Sequence, residues 1–576
     1  MSNLIKGSSI LFFLFFSSLL YSQSWISQTS PLSNQLNVSR SAAITITFNR
    51  AMMSSTLTGQ NIVVSGAYTG ACEKALSYNS TEKKLTITPS SAFKYGEVVT
   101  VVVSGAVKDE NGVSMSRPHA FSFTCSVNGG RGTFTQVNSA VVVGGSPYKI
   151  VSGDYDKDGK IDLAVMDSNK VTILKNDGTG IFTVLQVIGG LSGLADMVTG
   201  DINNDGYPDL VCAAQWSNQF AVLKNNGSGW FVHSNNFSTY GTRPMHVSLC
   251  NLDNDCYPDV IITNWSSYNF AVFKNDGTGV FSLQNIVAGI GTRPKAIGTG
   301  DFDGDGYFDI AIGIDWAPAL VETFKNNGNY NFIQVQSVIV PDRPYSITSN
   351  DYNNDGKTDL CISNYYDNSV SELTNNGTGY FTSAIYPMGG TGARFLIQGD
   401  YDNDGDMDLS IGSAEIGIIS VMKNNGTGIF SGNVFINSFG YPGSIANGDF
   451  DNDGDLDIAA ANTNTGLVSI FKNDNSVGIQ PVGTVIPKDF ELGQNYPNPF
   501  NPSTSFDFSI PKSGYISLKL YDARGTEIRD LFSGYKNAGV YKYTVNASEL
   551  NLASGVYFYK IIAGEVMLTK KMVLMK

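Results

Sequence analysis

An acidic nonapeptide, Asp-x-Asp-x-Asp-Gly-x-x-Asp or a near variant, recurs seven times in this 576-residue chain. The copies begin at Asp154, Asp201, Asn251, Asp301, Asp351, Asp400 and Asp449, a spacing of 47 to 50 residues throughout. A fixed period of this length marks a stacked or radial fold in which each copy is one supersecondary unit. Oxygen side chains at alternate positions of a tight loop converge on one centre, as a hard divalent cation requires. The two features together predict an all-β fold whose central part, residues 128–476, is a β-propeller stiffened by calcium.

Positions 1, 3, 5 and 9 of each loop offer side-chain oxygens, and position 7 offers its backbone carbonyl. Repeat one supplies Asp154, Asp156, Asp158, Lys160 and Asp162, and repeat two Asp201, Asn203, Asp205, Tyr207 and Asp209. Repeat three supplies Asn251, Asp253, Asp255, Tyr257 and Asp259, and repeat four Asp301, Asp303, Asp305, Tyr307 and Asp309. Repeat five supplies Asp351, Asn353, Asp355, Lys357 and Asp359. Repeat six supplies Asp400, Asp402, Asp404, Asp406 and Asp408, and repeat seven Asp449, Asp451, Asp453, Asp455 and Asp457. Glycine at position 6 accommodates the positive φ of the bend. Repeat three departs from this with Cys256, and Cys250 precedes its loop where most others have Gly. A left-handed non-glycine residue costs roughly 1 kcal/mol or more, so repeat three is expected to be the weakest site. A Cys250–Cys256 disulfide stays open on sequence alone.

Asp-Asn-Gly runs are also ordinary turn formers. That accounts for one such run, but not for seven in register, each leading into a strand-like segment such as Asp309-Ile-Ala-Ile-Gly. An EF-hand loop begins alike but needs Glu at position 12 and flanking helices, and the flanks here read as strands.

The formal charge is −14, which would ordinarily argue against nucleic acid. Twenty-five of the acidic residues sit at side-chain ligand positions of the loops, and seven Ca²⁺ ions would cancel the net charge. The acidity is therefore a property of the metal sites and says little about partners. At the N-terminus Lys6 precedes the apolar run 10–20, and Ser22 offers a small residue for cleavage, so residues 1–22 read as a secretory signal. No later segment is apolar for long enough to span a bilayer, and an exported, soluble monomer is expected. In an oxidising compartment Cys72 and Cys125 could pair, whereas Cys212 and Cys361 fall inside strands as buried thiols.

Each repeat has a four-strand grammar. In repeat four, residues 294–300 lead into the metal loop, 309–314 leave it, and 319–325 and 332–340 follow on either side of an Asn-Gly turn. Repeat seven lacks its last strand, and a matching Gly-x-Phe segment, Gly132-Thr-Phe134, stands before repeat one. A strand near Phe134 is thus predicted to complete the last of seven blades and hide the open edges. Loop, period and closure resemble the FG-GAP and VCBS repeat families, whose relatives include the propellers of integrin α subunits. The resemblance implies structural calcium and a role in adhesion.

Residues 23–127 alternate as a small β-sandwich, and Ile44-Thr-Ile-Thr-Phe-Asn-Arg-Ala-Met resembles bacterial Ig-like domains. Such a domain is expected to be a spacer. After a linker at 477–490, residues 491–576 open with Asn495-Tyr-Pro-Asn-Pro-Phe-Asn-Pro and continue through Ala553-Ser-Gly-Val-Tyr-Phe-Tyr. This part resembles the C-terminal sorting domain of type IX secretion. The resemblance implies dealings with that machinery and delivery outside the cell, released or surface-anchored.

If strands one and two flank the metal loop, all seven loops share one face of the ring. The opposite, upper face would carry Trp216, Trp265, Trp316 and Tyr366, each 14 or 15 residues after its loop begins. Arg243, Arg293 and Arg343 each precede the next loop by eight residues and would lie beside them. Aromatics with guanidinium groups suit sugar rings bearing carboxylate or sulfate. Packing of the Trp rings between blades is the simpler alternative. His119, His233 and His246 are the three histidines, no nucleophile motif is present, and the metal loops look coordinatively closed. Binding of an extracellular polysaccharide or glycoprotein is therefore the expectation, with no catalytic residues. A polysaccharide lyase using His246 and Arg243 is the alternative.

Overall fold

The computed structural model describes residues 25–137, 140–473, 480–481, 487–512, 514–536, 538–547, 552–564 and 566–575. The secretory signal, 1–22, lies outside the described residues, as does most of the linker. Among the described residues the chain is all-β apart from a single 3₁₀ turn, Ser54–Thr56.

Six four-stranded antiparallel sheets follow one another from Lys149 to Asn437, each built from consecutive strands. A seventh is formed by Pro442–Gly448, Asp457–Asn462 and Leu467–Asn473. In blade four the strands are Pro294–Gly300, Asp309–Ile314, Leu320–Asn326 and Phe332–Ile339, within a residue of expectation. Second strands such as Asp309–Ile314 are buried along their whole length, which is why they read as continuous apolar runs. Fourth strands such as Phe231–Ser238 form the exposed rim.

The seventh sheet is completed from the other end of the domain. Phe134–Gln136 pairs antiparallel with the third strand, placing Phe134 opposite Asn473 and Gln136 opposite Phe471. The Phe134 ring meets Tyr401 edge-on at 5.8 Å, as Phe182 meets Phe450 and Phe231 meets Tyr155 elsewhere. Apolar clusters then join each blade to the next, and the one containing Ile161, Leu163, Phe450 and Ile470 joins the seventh to the first. The first strands pack side by side in the same cycle, Lys149–Gly153 against both Leu194–Gly200 and Pro442–Gly448.

Asparagines latch the ring. Asn225 Nδ2 donates to the Tyr155 carbonyl of the preceding blade at 2.7 Å, and Asn275 to Ile202 at 2.7 Å. Asn326, Asn375, Asn424 and Asn473 repeat the bond, and Asn176 makes it to Phe450 across the closure. Each of these residues also donates its backbone N–H to the position-9 aspartate of its own loop, as Asn275 does to Asp259 at 2.9 Å. Blade-to-blade contact and metal loop thus share a residue.

The N-terminal domain is a sandwich of two four-stranded sheets around a core that includes Ile44, Ile46, Val99 and Phe121. It is not a detached spacer. It packs on the loop face of the ring through several segments, among them residues 34, 68–71, 94 and 120. Tyr68 donates its hydroxyl to Asn447 Oδ1 at 3.1 Å, Ala71 N–H reaches Asp201 Oδ2 at 2.9 Å, and Lys94 Nζ lies 2.9 Å from Asp154 Oδ2. Buried Glu97 organises these segments by accepting bonds from Tyr68 N, Thr69 N and Lys94 N. Between the sandwich and the first strands lies a cavity of about 630 Å³, lined by Val63, Thr100 and Val102 on one side and Ile150, Leu249 and Ile347 on the other.

All six cysteines are free thiols, so neither disulfide forms. Cys250 packs with Leu252 and Ile261 between blades, whereas Cys256 packs with Val63, Val102 and Ala120 of the sandwich. The C-terminal domain has two further four-stranded sheets, and Gln480–Pro481, in the expected linker, joins one of them beside Tyr541 and Lys542.

Candidate functional site

Each metal loop is built by the same backbone bonds. The position-6 N–H bonds back to the position-1 carboxylate, as Gly206 does to Asp201 at 2.7 Å and Gly356 to Asp351 at 2.7 Å. The position-7 N–H bonds to position 5, from Lys160, Tyr207, Tyr257, Tyr307, Lys357, Asp406 and Asp455. Positions 4 and 6 are both left-handed: Asn204, Asn254, Asn354, Asn403 and Asn452 have φ of 55–60° at position 4. Asn tolerates that region better than other non-glycine residues, a signal the sequence reading missed. Cys256 adopts φ 84° at the glycine position, as expected, and its side chain fills the sandwich contact described above.

The loops with aspartate at positions 1, 3, 5 and 9 bring three carboxylates together, with ligand atoms within 4.8 Å of one another. These groups are Asp154, Asp156 and Asp158; Asp301, Asp303 and Asp309; Asp400, Asp402 and Asp404; and Asp449, Asp451 and Asp453. Asn203, Asn251 and Asn353 stand in the other three loops.

Buried carboxylate oxygens without a partner, among them Asp154 Oδ1, Asp209 Oδ2, Asp402 Oδ1 and Asp451 Oδ1, fit a divalent cation as the missing partner. Asp455 is fully buried with both oxygens unpartnered, which adds a fifth carboxylate to loop seven. Burial first, and then neighbouring carboxylates, push Asp162, Asp209 and Asp359 up to about 7, and Asp259 and Asp309 up to about 8. Such crowding of acids is relieved by a bound cation.

Third-strand lysines, also missed from sequence, reach the same loops: Lys423 pairs with Asp402 at 2.8 Å and Lys472 with Asp451 at 2.9 Å. Lys175, Lys274 and Lys325 approach Asp156, Asp253 and Asp303 in the same way. The donor set is all-oxygen and enclosed, which suits a structural ion.

On the opposite face Trp216, Arg243, Trp265, Arg293 and Trp316 form one stack, and Arg343 and Tyr366 form a neighbouring pair. Arg243 lies over Trp216 at 5.8 Å and Trp265 at 4.4 Å, and Arg293 over Trp265 at 4.5 Å and Trp316 at 3.7 Å. Arg343 bonds the Tyr366 hydroxyl at 2.7 Å and pairs through Nε with Asp315 at 3.1 Å. Trp216, Trp316 and Tyr366 are 66%, 53% and 60% exposed, so they are not packed between blades. Trp216 also lies against Gly193, where an added Cβ would come within 2.0 Å of its ring.

The three arginines share an unusual backbone, with φ of 58°, 64° and 64° for Arg243, Arg293 and Arg343. At the equivalent place blades two and six use Gly193 and Gly392, also left-handed. His119 belongs to the sandwich and lies near Gly306, His233 is exposed on a rim strand, and His246 is buried near the axis.

A ring of four-stranded sheets with an acidic loop in every blade defines a repeat-type propeller protein. Family models match accordingly. An FG-GAP-like repeat matches residues 154–212, 201–262, 251–312, 351–411 and 400–460, and an FG-GAP repeat matches 294–331. A bacterial Ig-like domain matches 24–125, and a secretion system C-terminal sorting domain matches 494–575. The chain belongs to the FG-GAP repeat proteins, with an N-terminal bacterial Ig-like domain and a type IX sorting domain. It is consequently a secreted or outer-surface bacterial protein that engages the type IX machinery. Among the described residues no helix is long and apolar enough to cross a membrane.

No curated protein matches this chain. Among solved structures, a functionally unknown protein of Desulfotomaculum acetoxidans is similar at 16% identity and TM-score 0.39, covering 51% of this chain and 87% of its own. An Agrocybe aegerita lectin, solved for its recognition of non-reducing terminal N-acetylglucosamine, is similar at 16% identity and TM-score 0.38, covering 72% and 96%. A Lactobacillus plantarum protein is similar at 11% identity and TM-score 0.41, covering 65% and 96%. At these scores none of the three bears on fold or function.

Proposed function

We propose that this protein is a calcium-stiffened binding module whose upper face holds an acidic extracellular polysaccharide or glycoprotein. The observation that carries the reading is the left-handed backbone of Arg243, Arg293 and Arg343. A side chain in that region costs roughly 1 kcal/mol, and glycine serves the same turn in other blades. Strain kept at three successive blades, each time to seat a guanidinium against an exposed aromatic, argues for a ligand rather than for the ring. Indole faces suit sugar rings, and guanidinium forks suit carboxylate or sulfate.

Calcium is the assigned ion because the donors are all oxygen, and extracellular calcium modules bind at about 10⁻⁴–10⁻³ M. FG-GAP repeat proteins are generally non-enzymatic, and binding is the reading adopted. A glycan array is the test. Native protein should retain acidic glycans, and the double variant Trp265→Ala, Trp316→Ala should lose them with its melting temperature kept. Equal retention by the two would refute the assignment. Appearance of unsaturated uronate products during the assay would transfer the protein to the lyases.

A further inference from the structure

The first residues of the inner strands converge on the ring axis at the upper face. Phe395 stacks on His246 at 5.8 Å, and Tyr345 meets these rings edge-on at 5.4 Å and 6.1 Å. These aromatics come from blades three, five and six and form a plug across the axis. On one side Lys149 Nζ stands 4.2 Å from the Phe395 ring and pairs with Asp196 at 2.8 Å. That charge is matched.

On the other side it is not. Lys295 Nζ lies 3.3 Å from the Tyr345 ring centre, and the Arg394 guanidinium lies 5.5 Å from the same ring. Among the described residues no carboxylate is within ion-pair distance of either cation, and Arg394 Nε is buried without a hydrogen-bond partner. Asp315, whose field reaches Lys295, is already held by Arg343. Burial first, then Arg343 and Arg394, push Lys295 down to about 7, a sign that the site lacks an anion. This occurs in a chain of formal charge −14.

We propose that this axial mouth is a separate subsite for a single carboxylate or sulfate group, a terminal residue or substituent of the bound glycan, gripped by Arg394 and Lys295 over Tyr345. The proposal rests on the glycan reading above and extends it from the rim of the face to its axis. Arg394 supplies a planar fork and Lys295 a point charge, while Tyr345, covered by Lys295 and stacked on Tyr365 at 5.9 Å, holds the cations in place.

The test is calorimetric titration of the full-length secreted protein, in calcium, with glucuronate, galactose 6-sulfate and neutral galactose. Binding of either acidic sugar but not the neutral one is expected. Arg394→Gln should weaken it at least about tenfold, and Trp216→Ala with Trp316→Ala should leave it within twofold. Should Arg394→Gln fail to fold, Lys295→Gln is read in its place. Absence of acidic-sugar binding, or equal affinity in the Arg394 variant, overturns the subsite even if polymer still binds. Acidic-sugar binding without polymer retention on the Trp face leaves the subsite standing and removes the wider reading.

Discussion

At the residue scale, the loops show how much chemistry nine positions can hold. Aspartates at alternate positions and glycine at position 6 are dictated by local backbone geometry and were legible without a fold, whereas the left-handed asparagine at position 4 was not. What those aspartates feel was not legible, because burial depends on neighbouring blades. The loops predict a pH dependence of opposite sign with and without the ion. In calcium-free protein Asp162, Asp209, Asp259, Asp309 and Asp359 have pKa values raised to about 7 or 8. The unfolded chain releases those protons near pH 4. The folded state therefore binds more protons between these limits, and stability should fall as pH rises from about 5 to 8. With calcium bound the carboxylates are ionised in the fold, and acid should destabilise instead. Melting temperatures measured in EGTA and in calcium across that window should slope in opposite directions, and parallel slopes would count against metal loops.

At the element scale, the four-strand grammar and the closing strand followed from turn pairs and from a piece missing at one end and present at the other. The asparagine latch did not, because an Asn before a hairpin looks like turn chemistry until its partner in the preceding blade is seen. Asn275 illustrates its weight, donating to Ile202 O and Pro258 O and accepting from Gly277 N. Asn275→Ala should destabilise by about 2–4 kcal/mol, since it strands buried carbonyls, which a denaturant midpoint would register. Phe134 is half-buried, so Phe134→Ala should cost less than the about 3–5 kcal/mol of a fully buried ring. Its signature is local: faster amide exchange along Leu467–Asn473, with the other blades unchanged.

At the scale of the whole molecule, the sandwich on the metal face is what the chain concealed. Its contacts join residues far apart in sequence through ordinary side chains, such as Lys94 with Asp154 and Tyr68 with Asn447, and carry no motif. Cys256, which looked like a defect in loop three, is explained there by its burial against Val63, Val102 and Ala120. Removing residues 24–127 should make the Cys256 thiol react readily with a thiol reagent, whereas the full chain protects it. With one face so occupied, the Trp–Arg face is the one left for a ligand, and calcium held in the loops would clamp the ring behind it. The most direct measurement is a thermal melt of the full-length protein in millimolar calcium against excess EGTA. The account predicts a substantially lower melting temperature in EGTA, restored by calcium; identical curves would contradict it.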